Sequence, residues 1–160
     1  MKKKCISVVL IFCFCILALC YVNATENRGY YDREDEANNT TATADVLTSE
    51  RVMQGQFPST SDNFDYYKIS VTSGNPVNIQ LSSIPGGCDF DLFLLDSTGQ
   101  QILSSTNGSD MGEWISYTSS TTGYYYIRVN RYSGTSSSYY RLYAQTTGQT
   151  FNQSFYITQA

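Results

Sequence analysis

Between Val52 and Thr146 apolar residues recur at every second position, a spacing that suits strands burying one face and leaves little room for helices. Val52 to Phe57 forms one such run. In Phe64 to Val71, Tyr67, Ile69 and Val71 share one face while Tyr66, Lys68 and Ser70 share the other. Val77, Ile79 and Leu81 repeat the alternation, as do Phe90, Leu92 and Leu94. Further runs cover Gln101 to Ser104, Trp114 to Thr118, Tyr124 to Asn130 and Tyr139 to Thr146. Ser73-Gly74-Asn75-Pro76, Pro85-Gly86-Gly87 and Ser97-Thr98-Gly99 separate the runs with turn-forming residues. About eight short strands at this spacing predict an all-β antiparallel β-sandwich at residues 46–147. A helical turn around Thr41 to Leu47 is the one expected interruption.

The flanks read differently. Lys2, Lys3 and Lys4 precede an uncharged stretch from Cys5 to Cys20, and Val22-Asn23-Ala24 offers small or compact residues where a signal peptidase cleaves. Residues 1–24 are therefore expected to be an export signal, and the mature protein to be secreted, extracellular or at the cell surface. The apolar run is shorter than the roughly 20 residues of a membrane span, so membrane anchoring is not expected. Leu19 is too bulky for a lipoprotein signal ending at Cys20. Cleavage would remove three lysines and move the formal net charge from −4 to −7. Such an acidic surface repels phosphate backbones, so no nucleic-acid partner is expected. Cleavage would also remove four of the five cysteines, leaving Cys88, which reads as a small residue tucked under a strand end, with a reactive thiol or a bridge to another chain as the alternative. Residues 25–45 form an acidic lead-in, and 148–160 a C-terminal tail or extra edge strand.

The chain has no histidine, and Lys68 is its one lysine beyond the signal. The usual general base, the imidazole of a nucleophilic triad and the commonest zinc ligand are thereby missing, and no enzyme activity is expected. Carboxylates do gather. Glu34 and Glu36 precede Asn38 and Asn39, while Asp62 and Asp65 bracket the start of the Phe64 strand. In an extended segment residues 34, 36 and 38 point the same way, and converging oxygens suit calcium. A solvated acidic segment is the alternative reading of the same spacing.

Four ordered motifs carry a resemblance. Glu34-Asp35-Glu36-Ala37-Asn38-Asn39-Thr40, Asp62-Asn63-Phe64-Asp65-Tyr66-Tyr67-Lys68, Asp89-Phe90-Asp91-Leu92-Phe93-Leu94 and Gly123-Tyr124-Tyr125-Tyr126-Ile127-Arg128-Val129 resemble the bacterial pre-peptidase C-terminal domain, and are similar to clostridial collagenase collagen-binding domains. The resemblance implies a jelly-roll-like β-sandwich that serves exported enzymes as a non-catalytic appendage. It implies calcium as cofactor, with Glu34, Glu36, Asn38, Asn39, Asp62 and Asp65 as ligands. Asn39 stands where the collagen-binding members often carry aspartate. Asp89 and Asp91 match the family's Asp-x-Asp-Leu strand and are expected to accept hydrogen bonds at a strand end.

A second candidate surface is aromatic. Tyr124 and Tyr126 share one face of their strand, as do Tyr139 and Tyr143 of theirs. If the two strands pair, the four tyrosines form a patch flanked by Arg128, Arg131 and Arg141, a surface fit for an extracellular polymer such as a collagen-like protein or a polysaccharide. Cross-strand tyrosines that merely stabilise an exposed sheet are the alternative. The expected function is a secreted, calcium-stabilised binding or accessory module. A stabilising partner of a separately encoded exported peptidase is the second expectation.

Overall fold

The computed structural model describes residues 31–147, so the expected signal at 1–24 and the tail at 148–160 lie outside the described residues. Ten strands make two five-stranded sheets, with no helix among the described residues. In chain order they are β1 (Tyr31–Arg33), β2 (Asp45–Val46), β3 (Val52–Phe57), β4 (Phe64–Val71), β5 (Pro76–Ser82), β6 (Asp89–Leu95), β7 (Gln101–Ser105), β8 (Glu113–Thr118), β9 (Gly123–Ser133) and β10 (Ser136–Gln145). The first sheet has the order β1-β3-β10-β5-β8 and the second β2-β4-β9-β6-β7. The eight longer strands are those that the alternation marks. The two extra ones, β1 and β2, lie in the acidic lead-in and are too short to carry a pattern.

Antiparallel pairing holds everywhere except at β1 against β3 and β2 against β4, which are parallel. Each sheet is therefore mixed. The helical turn expected near Thr41 is instead a hydrogen-bonded turn, Thr43 N donating to Thr40 O at 3.1 Å, that leads directly into β2. Thr40 and Thr43 exchange further side-chain hydrogen bonds there, the local competition by which threonine turns a chain rather than winding it.

The inward faces follow the period of two. Tyr67, Ile69 and Val71 of β4 meet Val77, Ile79 and Leu81 of β5, Phe90, Leu92 and Leu94 of β6, and Tyr140, Leu142 and Ala144 of β10 in one apolar layer. Phe57, Phe90 and Tyr140 form an aromatic cluster within it, with ring centroids 5.0–5.8 Å apart. Edge-on ring contacts of this kind add to area burial. Cys88 is buried at its edge as a free thiol. Between β6 and β7, Asp96 Oδ1 accepts from Thr98 N at 2.8 Å and Gln100 N at 3.0 Å while Gly99 takes φ 84°. That aspartate-glycine turn fixes the register of the hairpin.

Candidate metal centre

At one end of the sandwich two tyrosines from facing sheets meet. Tyr67 of β4 and Tyr140 of β10 are fully buried, and their hydroxyl oxygens lie 2.6 Å apart. Beyond them sit two acids. Tyr67 donates to Glu34 Oε2 at 2.5 Å, and Tyr140 is hydrogen-bonded to Asp65 Oδ2. Glu34 leaves the end of β1, its amide bonded to Gln54 O, and its other oxygen accepts from Gln56 N at 2.7 Å. Gly55 makes this approach possible, because a Cβ there would collide with both the Tyr140 ring and the Glu34 carboxylate.

The series Asp65, Tyr140, Tyr67, Glu34 contains three contacts but only two hydroxyl protons. Each hydrogen bond needs a proton. The two acids must therefore share a third while the site holds no cation. Electrostatics agree: burial and the Glu34 charge push Asp65 up to about 9, while burial raises Glu34 to about 7 against the pull of its Tyr67 hydrogen bond. Asp62 is raised to about 6 by burial and then by Glu36, with Arg131 opposing.

Four of the expected ligands end up around this pair, though not by an extended chain. The segment bends at Glu36, and Ala37 adopts φ 86°, a left-handed conformation that costs a non-glycine residue about 1–2 kcal/mol. The bend turns Asn38 inward to 1% exposure, where its amide nitrogen lies 3.4 Å from both Glu34 Oε2 and Asp45 Oδ2. Its backbone oxygen receives Tyr66 N at 2.9 Å, which stitches the lead-in to β4. Glu36 and Asn39 remain exposed. With its amide nitrogen turned toward the site, Asn39 donates to Phe64 O at 2.6 Å and to Asp62 Oδ1 at 3.1 Å. Turned the other way, three oxygens would face one another there, an arrangement that needs a cation between them.

Three oxygens of this cluster are buried without any hydrogen-bond partner: Asn38 Oδ1, Asp62 Oδ2 and Asp65 Oδ1. Leaving such groups unmet is costly. The contrast with Glu113 is informative. That carboxylate is equally buried between β7 and β8, yet Ser105 Oγ, Asn107 N and Asn107 Nδ2 all donate to it. An all-oxygen donor set with orphaned lone pairs fits calcium rather than zinc. Among the described residues no three carboxylates or thiols are already gathered at metal-binding spacing. An ion would have to draw in Glu36 and Asn39 from their exposed positions.

The tyrosine surface is divided. β9 belongs to the second sheet and β10 to the first, so Tyr124 and Tyr126 lie on the opposite outer face from Tyr139 and Tyr143. The alternation assigns faces correctly but says nothing about partners, and the turn at Gly134, with φ 76°, carries the chain across to the other sheet. Tyr139 stacks under Arg33 at 5.1 Å, and Tyr143 is only 8% exposed. Tyr124 is 51% exposed. Of the flanking arginines, Arg131 points into the loop before β4, donating to Asp62 O, Thr60 O and Asn63 Oδ1. Asp89 and Asp91 do face away from Phe90 and Leu92, but Asp89 Oδ1 is buried without a partner, so the expected strand-end hydrogen bond is not made there.

Sequence reasoning missed Tyr67, Tyr140 and Gly55 as parts of the centre. Tyrosines on an otherwise aliphatic inward face were the available signal, since a buried hydroxyl seeks a partner.

Residues 63–131 match the family model described as the bacterial pre-peptidase C-terminal domain. That span includes Asp65 and Tyr67 but none of Glu34, Glu36, Asn38, Asn39 or Asp62. Among solved structures, the pre-peptidase C-terminal domain of a collagenase from Bacillus anthracis is similar, with TM-score 0.54 and 16% identity over 69% of this chain and 100% of that one. At that identity the likeness concerns the fold. No curated protein matches the chain.

Proposed function

We propose that this protein is a secreted, calcium-stabilised binding module without catalytic activity of its own, in keeping with the match of residues 63–131 to the bacterial pre-peptidase C-terminal domain, an accessory and non-catalytic kind of module. One observation supports it above the rest: Asn38, Asp62 and Asp65 each bury an oxygen without a partner in the cluster where Glu34 and Asp65 can stay together only by sharing a proton. Calcium in place of that proton supplies the missing partner to every one of them. Asn38, Asp62, Asp65 and Glu34 would hold the ion, and Glu36 with Asn39 would close over it.

The ion's task is mechanical rather than chemical. Glu34, Glu36, Asn38 and Asn39 come from the lead-in, Asp62 and Asp65 from the sandwich, so the bound ion pins one to the other. Domains of this family occur in secreted bacterial proteins, and no helix among the described residues is long and apolar enough to cross a membrane. Outside the cell a site with Kd of about 0.1–1 mM fills.

The test is a thermal scan of the protein in about 2 mM calcium, in the same concentration of magnesium, and in chelator. If Kd is about 0.2 mM, the ligation energy of about 1.4 kcal/mol raises Tm by about 5 °C. Limited proteolysis in chelator should cut within residues 30–40 first. Identical melting curves in calcium and chelator would sink the proposal.

A further inference from the structure

The outer face of the second sheet has a composition unlike the rest of this acidic molecule. Its outward positions read Phe64, Tyr66, Lys68 and Ser70 on β4, then Asn130, Arg128, Tyr126 and Tyr124 on β9, in register as Phe64 with Asn130, Tyr66 with Arg128, Lys68 with Tyr126 and Ser70 with Tyr124. Neither strand places a carboxylate on this side. On β6, Phe93 stands opposite Arg128 and Leu95 opposite Tyr126, while the carboxylates of this face, half-buried Asp89 and the 8%-exposed Asp91, lie together at its far end. Val46 of β2, beside Lys68, is 60% exposed.

Arg128 is the centre of the face. Its guanidinium is held between two rings, 4.3 Å from the centroid of Phe93 and 5.6 Å from that of Phe64. It makes no hydrogen bond or ion pair, and its Nε is buried without an acceptor. Two other arginines are engaged by oxygens: Arg51 with Asp32 at 2.6 Å, and Arg131 with four oxygens of the loops around it. A clamped, planar, unpaired guanidinium is pre-organised to meet a carboxylate in two parallel hydrogen bonds. Lys68 supplies a second cation one row away. Phe64 and Tyr124, 39% and 51% exposed, offer ring faces at either end of a strip about 20 Å long.

We propose that this face docks an acidic polysaccharide, a polymer of uronate-bearing sugars. Its carboxylates meet Arg128 and Lys68, and the C–H faces of its pyranose rings lie on Phe64, Tyr126 and Tyr124. The inference takes from the proposed function only that the protein is a binding module, and names the class of its ligand. Charge complementarity selects the polymer: a locally cationic aromatic strip on a chain of formal net charge −4 attracts an anion that reaches the strip alone. A uronate ring carries its carboxylate beside the C–H face that stacks on an aromatic ring, so a single sugar meets a cation and the neighbouring tyrosine together.

The experiment is affinity electrophoresis and titration calorimetry of the secreted chain with polygalacturonate, with neutral dextran, with fibrillar collagen and with polyuridylate, each in calcium. Polygalacturonate alone should bind, more weakly as salt is raised. Arg128→Gln should lower affinity about tenfold, and Tyr124→Ala several-fold. Tyr139→Ala, on the opposite face, should change nothing. Tyr124 is exposed enough that its variant folds, so it decides the matter should Arg128→Gln fail to fold. Equal binding to dextran, preference for collagen or polyuridylate, no binding at low salt, or loss confined to Tyr139→Ala each overturns the proposal. The calcium dependence of Tm, read on polymer-free samples of the same protein in calcium and in chelator, reports separately on the metal centre.

Discussion

At the scale of single residues, the proposed metal centre turns on Asn39. Replacing its amide by a carboxylate removes the donations to Phe64 O and Asp62 Oδ1 and adds a charge where an ion would sit. Asn39→Asp should therefore melt earlier in chelator yet bind calcium about tenfold more tightly by calorimetry, since calcium affinity follows the number of charged ligands. Gly55→Ala tests the packing that brings the acids together: the added methyl displaces Tyr140 or Glu34, and overpacking here should cost about 1–3 kcal/mol in denaturant unfolding. Ala37 offers the opposite experiment. Its φ of 86° suits glycine, and Ala37→Gly should gain about 0.5–1 kcal/mol in the same assay.

At the scale of elements, β1 and β2 are held by few groups. Three parallel pairs join β1 to β3 and two join β2 to β4. The Arg51–Asp32 ion pair fastens β1 as well, but both side chains are more than a third exposed, so solvent screens it and it adds little. Hydrogen exchange of residues 31–40 should speed up in chelator while β9, paired on both sides, stays protected. These same two strands were illegible in the sequence. Eight strands announced themselves because each buries one face, and a period of two is the direct imprint of that burial. A two- or three-residue parallel bridge buries too little to leave any imprint. The site was half-legible for a related reason. Glu34, Asn38, Asp62 and Asp65 were placed by motif, but Glu36 stands exposed because Ala37 breaks the extended chain on which the spacing argument depended. The partnering of strands was least legible of all. Tyr124 and Tyr139 lie 15 positions apart, yet no local signal says that the chain changes sheets between them.

For the whole molecule, the buried acids set the response to pH. Asp62, Glu34 and Asp65 have folded values raised to about 6, 7 and 9, above those of an unfolded chain. A raised acid contributes stability that is complete below its unfolded pKa and is lost as pH climbs through its folded one. Without calcium, Tm should fall as pH rises from about 4 to about 9. On the proposed function, calcium would bind the deprotonated form and displace the shared proton, so the Tm difference between calcium and chelator should widen over that interval. Calorimetry at pH 7.5 in buffers of different ionisation enthalpy should register about one proton released per ion bound.

The lead-in touches both sheets in succession: first β1 beside β3, then the acid cluster, then β2 beside β4. It works as a strap sewn to two plates. Tension applied from the N-terminal side reaches β1 first, the Glu34 and Asn38 anchorage next and β2 last, before any of the eight longer strands bears load. Pulled, the strap would part stitch by stitch and pay out some 15 residues of slack while the sandwich stayed whole. Calcium, by tightening the middle stitch, would set the force at which the slack is released.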